Sequence, residues 1–288
     1  MFSARGARAF AKFPELFFFE NARQPIIVAS ILLRRKTVLA NAEWKSIPWA
    51  LHPERKTELQ TLYDIFCDFP ENCIRISKLS SMPIPFSDVN DLVDVLNNLS
   101  DLLGKIEQWK ESFDLTNPDA VSECSPSSSF VSTPTVDGLD TQIPAWETVL
   151  MYESNEIAMA LNMCNAMQIM LLKMVRSVFA LGQIESESFD GLPLNFSTVD
   201  SREYRLYQAS IDICRSIQYT LEDENRATFS LSMLFAIRMA YDVLGESYPS
   251  IGSWLKHTLR EIENGQYGRW VAAKYLLETK PVPSYSQE

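Results

Sequence analysis

Glycine is scarce, nine in 288 residues, and neither G-x-G-x-x-G nor G-x-x-x-x-G-K-[ST] occurs. Phosphate-cradling loops of the common nucleotide-binding kinds are therefore excluded. Histidine occurs twice, as His52 and His257, which leaves a histidine-rich metal site without ligands. The five cysteines, Cys67, Cys73, Cys124, Cys164 and Cys214, lack paired spacing and are expected to be reduced thiols. Basic charge is also short: 26 Lys and Arg stand against 37 Asp and Glu, a net charge of −11 and a pI near 4.8. A surface that neutralises nucleic-acid phosphates needs clustered cations in excess, so direct nucleic-acid binding is not expected. Long apolar runs are missing too. The uncharged stretch Ile157–Leu172 carries Asn162, Asn165 and Gln168, and falls short of the roughly 20 apolar residues of a membrane span. A buried central helix and no membrane partner follow. Arg5, Arg8 and Lys12 precede Phe17-Phe18-Phe19 with no continuous apolar stretch ahead of a small-residue cleavage site. No signal peptide is read there, and an intracellular location, cytoplasmic or nuclear, is expected.

What is present is an ordinary globular balance, 46% apolar and 22% charged, in long stretches of three-to-four-residue periodicity. The fold expected is all-α, a single large helical bundle. Pro25 suits a first helical turn, so a helix is placed over Gln24–Leu39, with Arg34, Arg35 and Lys36 near its end, where the helix dipole favours cations. Further helices are expected over Lys56–Phe69, from Asn90 and Asp91 through Trp109, over Trp146–Leu181, Ser201–Leu221, Ser230–Leu244, Ile251–Ile262 and Gln266–Leu277. Residues 117–142 are rich in Ser, Thr, Pro and Asp, including Ser125-Pro126-Ser127-Ser128-Ser129, and read as a surface loop. The organisation is an N-terminal segment over 1–19, a helical domain over 20–280 and a tail over 281–288 that carries Pro281 and Pro283.

Several short patterns recur in order. Arg23-Gln24-Pro25 leads into an apolar helix, then Arg34-Arg35-Lys36-Thr37-Val38-Leu39, then Glu43-Trp44 and Pro48-Trp49. Later come Leu161-Asn162-Met163-Cys164-Asn165-Ala166, Ile213-Cys214-Arg215-Ser216-Ile217-Gln218-Tyr219, and Leu234-Phe235-Ala236-Ile237-Arg238-Met239-Ala240-Tyr241. This series resembles the all-helical middle and C-terminal region of fungal binuclear zinc-cluster (Zn(II)2Cys6) transcription factors, across most of residues 20–277. The six cysteines of that family's zinc cluster have no counterpart here. With Met1 so close ahead of Arg23, the expectation is a natural short protein without the DNA-binding half.

The central helix is where a pocket is sought. Asn155, Met159, Asn162, Ala166, Ile169, Lys173 and Arg176 recur at three- and four-residue steps and share one face. Amides among Met and Leu need partners, either orienting a ligand in an apolar cavity or bonding neighbouring helices. Arg215 and Arg238 stand on apolar helices beside Asp212 and Asp242. They are either structural ion pairs or, facing a cavity, groups that polarise a carbonyl or oxyanion. His52 is considered as a proton shuttle and Lys256–His257 as a solvated face. The ten methionines supply deformable apolar surface, as core or as the cradle of a polyketide or terpenoid.

Two functions are implied. In the first, the domain serves fungal secondary metabolism, holding an apolar intermediate in near-attack geometry for a cofactor-free cyclisation or cycloaddition of the pericyclase kind. Asn162 and Arg238 would then be catalytic, and Asn155, Met159, Asn165, Ile169, Lys173, Arg215, Tyr219 and Tyr241 would bind substrate, with no cofactor and no metal. In the second, the chain is a non-DNA-binding regulator acting by effector binding or by forming a homodimer.

Overall fold

The computed structural model describes residues 5–81, 89–126, 146–182, 199–221 and 231–264. These residues are mostly α-helical. In chain order the helices are α1 (Glu15–Leu32), α2 (Ala42–Ser46), α3 (Glu58–Phe66), α4 (Phe69–Ser80), α5 (Val89–Thr116), α6 (Asn155–Gly182), α7 (Val199–Leu221), α8 (Leu231–Ser247) and α9 (Pro249–Asn264). One small antiparallel sheet pairs β1 (Val121–Cys124) with β2 (Val149–Tyr152), where only loop and helix were expected. The expected helix at 266–277, the proline tail and most of the Ser/Pro-rich stretch lie outside the described residues. The chain divides into two compact units: the described residues of Met1–Phe113 and Lys173–Thr198, and those of Asp114–Leu172 and Val199–Ser284.

In the first unit, α1 begins at Glu15, well before Pro25, which sits inside the helix. Proline in a helix interior costs about 3 kcal/mol. Here Leu16, Phe19, Arg23, Ile27 and Ile31 form one buried stripe running through it, and burial of that stripe outweighs the local penalty. The N-terminal segment joins the same core, since Phe10 is fully buried and its ring lies 6.0 Å from Phe19 and 5.5 Å from Trp44.

The helix stops at Leu32. Arg34 takes a left-handed conformation (φ 49°), its N–H donates to Ile31 O (3.1 Å), and the Arg35 N–H donates to Ser30 O (2.9 Å). That pair of bonds is a Schellman end. Arg34, Arg35 and Lys36 therefore lie beyond the helix rather than within its last turn. Thr37 then accepts the Leu39 N–H at 3.3 Å, capping a 3₁₀ turn over Val38–Ala40. The helix expected over Lys56–Phe69 is α3, which ends at Phe66; Cys67 and Asp68 separate it from α4, a helix that was not expected. In α5, Leu92, Val95, Leu96, Leu99, Leu102, Leu103, Ile106, Trp109 and Phe113 are all buried, and the Trp109 indole N–H donates to Glu58 O at 3.2 Å.

At the centre of this unit Arg23 is 0% exposed. Its guanidinium donates to Gln60 O (2.8 Å) and Gln60 Oε1 (3.0 Å) and pairs with Asp64. The rings of Phe19, Trp49 and Tyr63 stand 5.4, 5.6 and 5.9 Å from its Cζ. A buried guanidinium is tolerated when paired and flanked by aromatic faces. Trp44 and Trp49 thus belong to the core.

In the second unit, Ser154 caps α6 by accepting the Ile157 N–H at 3.3 Å. Among the described residues one helix, Asn155–Leu181, is long and apolar enough to cross a membrane by length and composition. It extends beyond the short uncharged run read in the sequence, and 72% of that window is buried in the protein. Helix α8 buries Met233 through Ala240 on nearly every side, except that Arg238 sits among them. It packs on α7 and on α9. The approach to α9 is close because each helix has a glycine there: a Cβ on Gly252 would stand 2.5 Å from Gly245 O.

Candidate functional site

The polar residues of the second unit gather around α7. Asn162 of α6 is fully buried; its amide NH₂ donates to Ala158 O (2.8 Å) and its side-chain oxygen accepts the Ser216 hydroxyl (2.8 Å). That hydroxyl also lies 2.7 Å from Ile213 O, a second acceptor for its proton. Tyr152 of β2 joins the pair. Burial pushes its phenol well above the usual tyrosine range, against the opposing pull of hydrogen bonds with Ser216 and Asn162. The Tyr219 ring stands edge-on to it at 5.2 Å.

One residue along, Arg215 turns to the sheet. Its Nε donates to Thr148 O (3.0 Å), Nη2 reaches Glu123 Oε2 (2.9 Å), and Nη1 lies 3.6 Å from Asp212. Thr148 donates its hydroxyl to Glu123 at 2.8 Å. The Thr148 bond first, then Arg215, hold the Glu123 carboxyl below its usual range. A second group is built on α8 and α9: Arg238 Nε pairs with Asp242 (3.0 Å), and Tyr241 lies between Arg238 (5.5 Å) and Lys256 (5.3 Å).

Of the residues singled out in the sequence, Asn162, Arg215 and Tyr219 come together around α7, while Arg238 and Tyr241 belong to the α8–α9 group. Asn155, the first residue of α6, is half-buried, as are Met159 and Asn165, and Ile169 is fully buried. Lys173 falls in the first unit, and Arg176 is exposed. The expected stripe is therefore graded, buried in its middle and open at its ends. His52 bonds Glu54 at 3.3 Å and meets the Phe13 ring at 5.0 Å.

Tyr152, Ser216, Glu123 and Thr148 were not singled out. Ser216 stood within a quoted pattern, where its polarity in an otherwise apolar helix was the available signal. All five cysteines are free thiols. Among the described residues no group of three or more His, Cys, Asp or Glu could hold a metal ion. No known protein family, curated protein or solved structure matches the chain.

The quoted patterns acquire physical meaning all the same. In Cys214-Arg215-Ser216-Ile217-Gln218-Tyr219 the cysteine and isoleucine are core, the arginine clips the sheet, the serine satisfies Asn162, and the tyrosine packs on Tyr152. Chemically the arrangement consists of groups that satisfy one another.

Proposed function

We propose that the chain is a regulatory module without catalytic chemistry, related in fold and role to the helical regulatory region of fungal zinc-cluster factors, and that it acts by holding an effector or protein partner. One observation carries this reading. Asn162 and Arg238, the residues with the best claim to act on a substrate, are engaged inside the protein, Asn162 by Ser216 and Ala158 and Arg238 by Asp242. Cyclisation would require at least one of them to leave its buried partner, at a cost of about 1–3 kcal/mol for the amide and more for the ion pair.

Tethering tests the proposal. Fused to a heterologous DNA-binding domain in a fungal host, the chain is expected to change reporter transcription several-fold. Output equal to that of the DNA-binding domain alone would overturn the reading. So would measurable acceleration, by the purified chain, of cyclisation of a polyketide- or terpenoid-like intermediate.

A further inference from the structure

Ser125 and Pro126 follow β1 directly, and Ser125 is exposed. A residue before proline is held in extended backbone, so the strand direction carries on through it. Residues two apart on a strand share a face. Ser125 is therefore placed on the side of Glu123, whose carboxylate is 2.9 Å from Arg215. The sheet register pairs Cys124 with Val149, and one step further sets Ser125 opposite Thr148. Thr148 is the residue whose carbonyl receives the Arg215 Nε.

Among the described residues, the group facing Arg215 Nη1 is Asp212, at 3.6 Å, beyond hydrogen-bond length. Directly opposed residues have Cβ atoms about 4.5–5.5 Å apart, and a phosphoserine adds three acceptor oxygens beyond that point. We propose that Ser125 is a phosphorylation site for a proline-directed kinase and that its phosphate is received by Arg215 in competition with Glu123.

The kinase transfers the γ-phosphoryl group of Mg·ATP. The bond from that phosphorus to the ADP oxygen breaks, the bond to Ser125 Oγ forms, the hydroxyl proton leaves, and ADP is released. The new group carries about −1.5 to −2 charge at neutral pH, more than the Glu123 carboxylate, and a phosphate accepts the guanidinium fork in bidentate fashion. Glu123, with 58% of its side chain exposed, turns outward to water. Phosphorylation then tightens the attachment of β1 and β2 to α7.

The test uses the full chain, Mg·ATP and a proline-directed kinase, with the phosphate located by peptide mass spectrometry. Phosphate at Ser125, absent in Ser125→Ala, is expected. Phosphate at Thr133 alone, the threonine of Thr133-Pro134, or none at all would overturn the proposal.

Phosphorus NMR then reads the receiving group. A free phosphoserine has its second pKa at about 6. Here a value lower by about half a unit or more is expected, lost in Arg215→Gln and retained in Glu123→Gln. A titration equal to that of a phosphorylated peptide spanning residues 120–130 would overturn the role of Arg215, and this comparison stands even if Arg215→Gln fails to fold. Amide exchange of Ser122, Glu123 and Val149–Tyr152 is expected to slow about 3–10-fold on phosphorylation, the surplus of a bidentate phosphate over the carboxylate that it displaces. Unchanged exchange counts against the tightened clip.

Discussion

The side-chain oxygen of Asn162 accepts a 2.8 Å hydrogen bond from Ser216, 54 residues further along the chain. Both side chains are fully buried, so water cannot replace either partner. Asn162→Leu is expected to lower the stability of the second unit by about 1–3 kcal/mol, since it strips Ser216 and Tyr152 of a partner. Ser216→Ala should cost about 1 kcal/mol on its own. Urea unfolding of the two single variants and the double variant checks the link. The double variant should lose less than the sum of the singles, and strict additivity would show that the two groups do not act together.

Arg238 and Asp242 lie one helical turn apart with side chains 7% and 1% exposed. Arg238→Met takes the guanidinium away from the buried Asp242 carboxylate, and a loss of about 3–5 kcal/mol is expected. Arg238→Met with Asp242→Leu removes both charges and should recover most of that loss, because apolar side chains of similar volume often replace a buried ion pair at little cost. Chemical denaturation measures both. A double variant as unstable as the single would mean that Arg238 acts mainly through packing, for example on Tyr241.

Legibility from sequence divides along physical lines. The α5 helix could be read in advance because its apolar residues keep helical spacing from Leu92 to Trp109, and no proline interrupts them; the single Gly104 does not break the pattern. The start of α1 could not, because Pro25 is a local signal and the stripe Leu16, Phe19, Arg23, Ile27 that overrides it works through tertiary burial. The β1–β2 sheet was hidden for a similar reason. Each strand has four residues, β1 is exposed throughout, and pairing across a long separation leaves no local period to detect. Asn162 stood out as an amide among apolar residues, whereas Ser216 and Tyr152 reach it only through the fold.

Gly252 is expected to be intolerant of a methyl group. A Cβ at this position would come within 2.5 Å of Gly245 O and 2.9 Å of Gly245 Cα, both backbone atoms that cannot swing aside. Gly252→Ala normally favours a helix by about 1 kcal/mol. Here the forced separation of α8 and α9 should reverse the sign, for a net loss of about 1–3 kcal/mol. Gly245→Ala meets the Tyr241 ring instead, at 2.7 Å, a side chain able to move, so its loss should be smaller. Melting temperatures of the two variants make the comparison, and equal effects would argue against the backbone contact as the cause.

Two thiols, Cys67 buried and Cys73 half-buried, set the behaviour at high pH. Burial pushes Cys67 up to about 11, against the lowering effects of Arg23 and Lys45, and pushes Cys73 up to about 12. In the unfolded chain both return to about 8.5. Between that value and the folded one, the folded protein holds protons that the unfolded chain has released. Stability therefore falls as pH rises, by about 1.4 kcal/mol per pH unit per thiol. Their contribution is fully present below pH about 8.5 and is lost through pH 11 to 12. Cys67→Val should flatten part of that decline while leaving the neutral range unchanged. The same burial controls reactivity, because the thiolate is the nucleophile. In the folded protein at pH 8, a disulfide reagent should label the exposed Cys124 quickly and the buried Cys67, Cys164 and Cys214 slowly. Rapid labelling of Cys67 at that pH would show that its pocket beside Arg23 opens in solution.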